Sequence, residues 1–145
     1  EGLQTTDGLS VRGALVPVSA SRFVTANGNA TWDFTGGASA QRTDAFGAVE
    51  RFERIAPAAP TATGLAPLVG RYESDEAEVV MDVAAEGGVL VLKRRPDSVV
   101  TLTPVYADAF RGSIGLVRFH RDPAGAVKGL SVMVDRVWDL RFKRQ

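Results

Sequence analysis

Apolar and polar residues alternate with period two along most of this chain. Val79, Met81 and Val83 alternate with Val80, Asp82 and Ala84, as expected of a strand with one face in a core. Glu86-Gly87-Gly88 then predicts a turn, and Val89 to Leu92 follow at hairpin spacing. Further strands are predicted over 99–105, 114–121, 127–134 and 136–143. Pro104 sits near the end of the first of these, where a missing amide donor is tolerated. Asp122-Pro123-Ala124-Gly125 supplies a turn, with Pro setting φ and Gly accepting positive φ. Upstream, Asp7-Gly8 turns into Leu9-Ser10-Val11, and Asn27-Gly28-Asn29 predicts a hairpin before Trp32 and Phe34. Gly36-Gly37 ends that strand, and 46–55 closes the segment. No stretch carries a 3.6-residue period of helix length. Many short strands between turns predict an all-β fold, an antiparallel meander or lipocalin-like barrel.

The pattern occurs twice. Ala14-Leu-Val-Pro-Val-Ser-Ala-Ser-Arg-Phe23 and Thr101-Leu-Thr-Pro-Val-Tyr-Ala-Asp-Ala-Phe110 share Pro, Val, Ala and Phe at one offset of 87 residues. Each phrase leads into an aromatic strand and ends on an aromatic-basic one, Arg51-Phe52-Glu53-Arg54 and Arg141-Phe142-Lys143-Arg144. Such self-similarity predicts one structural unit used twice. The units are 1–55 and 65–145, joined by a Pro/Ala linker over 56–64 that reads as extended and semi-rigid. The second unit opens with Gly70-Arg71-Tyr72-Glu73-Ser74, which the first lacks, so the first reads as truncated. The chain opens at Glu1 with no signal-peptide pattern, and the expectation is a processed chain or a piece of a longer polypeptide.

Alternation also assigns faces. Trp138, Leu140, Phe142 and Arg144 share the expected core face of the last strand, and Leu68, Gly70 and Tyr72 share a face of the first. A barrel closing first strand on last would place Tyr72 beside Arg144, with the guanidinium near the ring. Phe23 and Phe110 are expected as equivalent buried anchors. Val89 to Leu92 are apolar on both faces, which predicts that something covers the outer one.

Composition narrows the function. The chain has 145 residues, 17 basic and 17 acidic, with a pI near 6.9. This balance gives no electrostatic footprint for nucleic acid and no polybasic block for an anionic membrane. No apolar run approaches the length of a membrane helix. Absence of cysteine excludes thiolate chemistry, disulfides and cysteine metal sites.

The second unit resembles the lipocalin-like C-terminal domains of bacterial serine hydrolases of the β-lactamase and penicillin-binding class. The resemblance rests on Gly70-Arg71-Tyr72-Glu73-Ser74-Asp75-Glu76, the Gly88-Val89-Leu90 hairpin and Leu102-Thr103-Pro104. It continues through the Asp108-Ala109-Phe110 corner, Phe119-His120-Arg121-Asp122 with its Gly125 turn, and the final strand from Arg136 to Phe142. It covers residues 65–145 well and 8–55 loosely. D-stereospecific aminopeptidases of this superfamily are similar in carrying two such barrels, and calycin barrels in general open with Gly-x-aromatic and close on Arg. The resemblance implies a non-catalytic role: docking on the parent hydrolase's catalytic domain, shaping its cleft, or supporting homo-oligomerisation. It favours a periplasmic or secreted location and implies no cofactor. The alternative is a stand-alone calycin-like carrier of a small apolar ligand, which needs an unfilled interior.

The catalytic signatures of the parent class are absent. Leu90, Gly125 and Leu140 stand three positions before the three lysines, so there is no Ser-x-x-Lys, and there is no Lys-Thr-Gly. Tyr72-Glu73-Ser74 fits a Tyr-x-Ser motif in letters but falls in a predicted strand. The one histidine, His120, faces away from Phe119 and lacks the partners of a triad or zinc site. Glu73, Asp75, Glu76 and Glu78 read as a solvated acidic edge, without calcium-loop spacing. An enzyme using the barrel mouth would have only Tyr106, Asp108 and Arg111. The binding or structural candidates are therefore Tyr72, Asp108, Phe110, Trp138 and Arg144, with no catalytic and no metal-ligating residue.

Overall fold

The computed structural model describes the backbone of residues 4–6, 11–134 and 136–145, and the side chains of 13–134 and 136–145. The expected Asp7-Gly8 turn lies outside the described residues. The chain is all-β apart from one short helical segment, and divides into two compact units, Glu1–Ile55 and Ala56–Gln145.

The first unit is a six-stranded antiparallel meander: β1 (Gln4–Thr6), β2 (Val11–Pro17), β3 (Arg22–Thr25), β4 (Ala30–Thr35), β5 (Ser39–Asp44) and β6 (Val49–Glu53). Among the described residues β1 pairs only with β2 and β6 only with β5, so the sheet has two bare edges. The Asn27-Gly28 turn forms as expected: Gly28 takes φ 73°, its N–H donates to Thr25 O at 2.8 Å, and Asn27 Oδ1 accepts from Asn29 N at 3.1 Å. Pro17 stands opposite Phe23, and Phe23 opposite Trp32. Phe23 packs edge-on against Phe34 at 5.5 Å and 89°. Phe34 N donates to Ser21 O at 2.8 Å. Phe23 is half-buried, not the fully buried anchor expected from its phrase. The reason is that an open sheet covers its apolar face less completely than a closed one.

The second unit begins with a helical turn, α1 (Ala62–Leu65), that runs into a 3₁₀ turn (Ala66–Leu68). The linker expectation is corrected here, because its last residues are helical. Thr61 caps the turn by accepting from Gly64 N at 3.3 Å. Leu65 and Leu68 belong to the core of the second unit, and the turn lies against the barrel end.

Eight antiparallel strands follow: β7 (Gly70–Ser74), β8 (Val79–Glu86), β9 (Val89–Arg94), β10 (Ser98–Tyr106), β11 (Ala109–Gly112), β12 (Gly115–Arg121), β13 (Val127–Val134) and β14 (Val137–Arg144). They form a closed barrel, with β14 hydrogen-bonded to β7 through Lys143 opposite Glu73 and Arg144 opposite Tyr72. Closure removes both sheet edges. The interior is filled by Tyr72, Leu102, Phe110, Phe119, Leu130 and Phe142 with their neighbours. Pro104 stands opposite Phe110, and Phe110 packs edge-on against Phe119 at 5.7 Å and 88°. Phe119 N donates to Asp108 O at 2.8 Å.

Two facing assignments need correction. Trp138 is 80% exposed, although it alternates in phase with buried Phe142. It lies beyond a register shift between Val132 and Val134, close to the hairpin tip, where no facing strand covers it. Arg144 is exposed at the rim of the barrel, not directed into it. In β9, Leu90 and Leu92 join the core and outward-facing Val91 is also buried, whereas Val89 is exposed.

Candidate functional site

The closing seam brings together two of the candidate residues, Tyr72 and Arg144. Tyr72 is completely buried, and its hydroxyl donates to Leu68 O at 2.7 Å. Its ring meets Phe119 edge-on at 5.8 Å, and Phe119 in turn meets Phe110. Burial pushes the phenol's pKa up, opposed by the positive charges of Arg144 and Arg121. The hydroxyl is therefore a neutral donor and not a nucleophile at neutral pH.

Arg144 reaches back over the seam. Its guanidinium donates to Val69 O at 2.7 Å and Pro67 O at 3.0 Å, with a longer contact to Val127 O at 3.5 Å. Sequence reasoning had the right neighbours and the wrong interaction: the guanidinium is a clasp on main-chain carbonyls, where a cation over the ring was expected. Gly70 makes room for it, since a Cβ there would lie 3.0 Å from Arg144 Nε. This is the physical content of the Gly-x-Tyr opening.

Asp108 occupies a turn with φ 58° and holds Arg121 in a two-pronged pair, at 2.7 Å to Nε and 2.8 Å to Nη2. Arg121 also donates to Gly125 O at 2.9 Å. Asp108 thus pins the β10–β11 turn to the end of β12. Arg111 does not join it; its Nε is buried without an acceptor among the described residues. Trp138 is remote from these contacts and stands in solvent.

An arrangement that sequence reasoning missed lies across three strands on the outer wall. His120 Nε2 and Ser131 Oγ are 2.9 Å apart, and Asp139 follows on β14, its carboxyl pKa lowered mainly by Arg141 and further by Ser131. These are the three residue types of a hydrolase triad in the wrong order. A triad needs His between Ser and Asp; here Ser131 stands in the middle and is 1% exposed. Its hydroxyl cannot reach a substrate carbonyl. The other serine of interest, Ser74, is buried too and accepts from Ala77 N at 3.2 Å, closing the β7–β8 turn.

The acidic edge carries Asp75 paired with Lys143 at 3.0 Å. Among the described residues no group of acidic and histidine side chains is placed to hold a metal ion. None of their helices is long and apolar enough to cross a membrane. A groove of about 720 Å³ on the barrel wall is lined by Arg71, Asp82, Lys93, Arg94 and Asp97 among others. Arg71 pairs with Asp82 and Lys93 with Glu86, so these charges are partly neutralised locally.

The first unit has a different kind of concavity. Trp32, Phe34, Phe52 and Arg54 line a cleft of about 470 Å³ beside β6. Trp32 stacks on Phe34 at 6.3 Å and leans on Phe52 at 5.0 Å. Phe52 remains 42% exposed, whereas Phe142 in β14 is 2% exposed. Arg54 Nη1 contacts Gly37 O at 3.5 Å. The chain matches no protein-family model and no curated protein. What defines it is the fold: an all-β protein with an eight-stranded closed antiparallel barrel and a separate open sheet.

Proposed function

We propose that the chain is a non-catalytic accessory module of a bacterial serine hydrolase of the β-lactamase-like class, built from two copies of one strand plan. The observation that carries the non-catalytic reading is how the polar groups are used. The hydroxyl of Tyr72, the carboxylate of Asp108, the guanidinium of Arg144 and the hydroxyls of Ser74 and Ser131 are all engaged within the fold. The assignment to this hydrolase class rests on the sequence resemblance over 65–145.

The shared plan is supported by pairs of matching details. Pro17 opposes Phe23 as Pro104 opposes Phe110. The edge-on pairs Phe23–Phe34 and Phe110–Phe119 have nearly the same separation and angle. Phe34 N and Phe119 N bond equivalent carbonyls, those of Ser21 and Asp108. Phe52 opposes Ala40 as Phe142 opposes Leu130, and Arg54 and Arg144 reach Gly37 O and Val127 O across equivalent ladders.

The competing reading, a carrier of a small apolar ligand, is weakened by the filled interior of the barrel. Activity assays test the proposal. The purified chain should not turn over a chromogenic β-lactam or a p-nitrophenyl ester above buffer. A catalytic domain carrying Ser-x-x-Lys should unfold at higher temperature when it is expressed in one polypeptide with the chain than when alone. Turnover by the chain itself, abolished by Ser131→Ala or Tyr72→Phe, would overturn the reading.

A further inference from the structure

The aromatic cleft of the first unit has a floor, walls and a charged end. Phe34 in β4, Ala40 in β5 and Phe52 in β6 stand in one cross-strand row, so a single methyl lies between two phenyl-bearing positions. Trp32 starts in the next row, opposite Arg42. Its ring nevertheless reaches Phe52 at 5.0 Å, although β4 and β6 flank β5 and lie about 10 Å apart. The indole therefore leans across β5. The rings of Trp32 and Phe34 are within 18° of parallel, and those of Trp32 and Phe52 within 36°. With Ala40 they bound about 470 Å³, the size of a small-molecule site.

Charge sits at one end of this slot. The ladder runs one residue past β6, with Arg54 N donating to Ala38 O at 2.8 Å. Alternation thus carries Arg54 to the face of Phe52 and Glu53 to the other face. On the ring-bearing face Arg42 is neutralised by Glu50 at 2.7 Å. Arg54 has no carboxylate partner among the described residues; its one acceptor is Gly37 O, at 3.5 Å. Ser39, also at the slot, is engaged with Thr35 O at 3.2 Å.

We propose that the cleft binds a small aromatic monocarboxylate, its ring among Trp32, Phe34 and Phe52 and its carboxylate on Arg54. The near-parallel rings suit a flat ring that can stack in an offset manner. The guanidinium fork suits a carboxylate. Glu53 borders the rim and disfavours a second negative charge. A cationic ligand is disfavoured because Arg54 shares the face of the rings. An added strand is disfavoured because β6 and the residue after it carry Glu50, Arg51, Glu53 and Arg54, and charged edges discourage strand addition. The site lies outside the barrel and is independent of the hydrolase assignment.

The test uses the full chain in a Trp138→Phe background, so that Trp32 is the sole indole. Titrations with 3-phenylpropionate, its primary amide, hexanoate and phenethylammonium are followed by Trp32 emission and by the Trp32 indole resonance. The aromatic acid should bind about fivefold more tightly than its amide, the size of an ion pair that keeps contact with water. It should also bind more tightly than hexanoate. Arg54→Gln should remove the preference for the acid and leave amide binding unchanged. Ala40→Leu should fill the slot and abolish binding of both. Arg54 is exposed, so Arg54→Gln decides the matter if Ala40→Leu fails to fold. No binding of the acid, equal binding of acid and amide, or a preference for hexanoate or phenethylammonium would overturn the proposal. So would acid binding unchanged by Arg54→Gln, or retained in a folded Ala40→Leu variant. Concentration-dependent dimerisation that displaces the acid and is abolished by Phe52→Glu would give the cleft to a second copy and overturn it as well.

Discussion

Arg144 lies directly across the closing ladder from Tyr72, and both hold the same stretch of main chain: the phenol binds Leu68 O, and the guanidinium binds Pro67 O and Val69 O. The segment they grip connects the helical cap to the first strand. Tyr72→Phe leaves a buried carbonyl without its donor and should destabilise by about 1–3 kcal/mol. Arg144→Ala should destabilise as well. The two changes should be non-additive, with a coupling of about 0.5–3 kcal/mol, because they act on one segment. Urea denaturation of the two single variants and the double variant measures this, and strict additivity would refute the shared clasp.

The two phrase-ending phenylalanines should behave differently despite their equivalent places. Phe110 is 2% exposed, and Phe110→Ala should cost about 3–5 kcal/mol. Phe23 is half-buried in an open sheet, so Phe23→Ala should cost less. Hydrogen exchange resolved by unit separates the effects. Equal losses would mean that the first sheet is covered as fully as the barrel.

The fold was readable where local chemistry and periodicity agreed. β8 and β12 carry period-two alternation, and Asn27-Gly28 and Asp122 to Gly125 carry turn residues whose side-chain oxygens accept from nearby main-chain N–H groups. The closing pair was readable because a Gly-x-Tyr opening and an Arg ending each need the other. β5, Ser-Ala-Gln-Arg-Thr-Asp, was not, since its strand state comes from pairing with β4 and β6 rather than from apolar alternation. The four residues of α1 are shorter than one helical repeat window. Alternation cannot say where a barrel ends, which is why Trp138 was misplaced. The His120–Ser131–Asp139 line joins three strands, and only their register brings it together.

Trp138 gives a direct check on that correction. Trp138→Ala should change stability by no more than about 0.5 kcal/mol, as expected of an exposed side chain. Acrylamide should quench Trp138 readily in a Trp32→Phe background. A large loss of stability would return Trp138 to the core face.

His120 should make stability depend on pH below neutrality. Burial lowers its pKa from the ordinary value, as does Arg118, while Asp139 opposes the shift and Arg141 adds to it. A base whose pKa is lower in the fold than in the unfolded chain binds its proton more readily when unfolded. Its contribution is therefore complete above the unfolded value of about 6.5 and is lost as pH falls from there through the folded value. Other groups separate cleanly from this window. Asp122 and Asp139 also have lowered values, the first through the Ala126 N–H and the second through Arg141, but their contributions fade only below about pH 4. The chain has one histidine and no cysteine, so few other groups titrate between pH 7 and 5. Stability measured by urea denaturation should fall over that interval, and His120→Gln should flatten the decline. A wild-type profile that is level from pH 7 to 5, or a decline unchanged in His120→Gln, would show that the imidazole beside Ser131 is solvated well enough to titrate as it does in the unfolded chain.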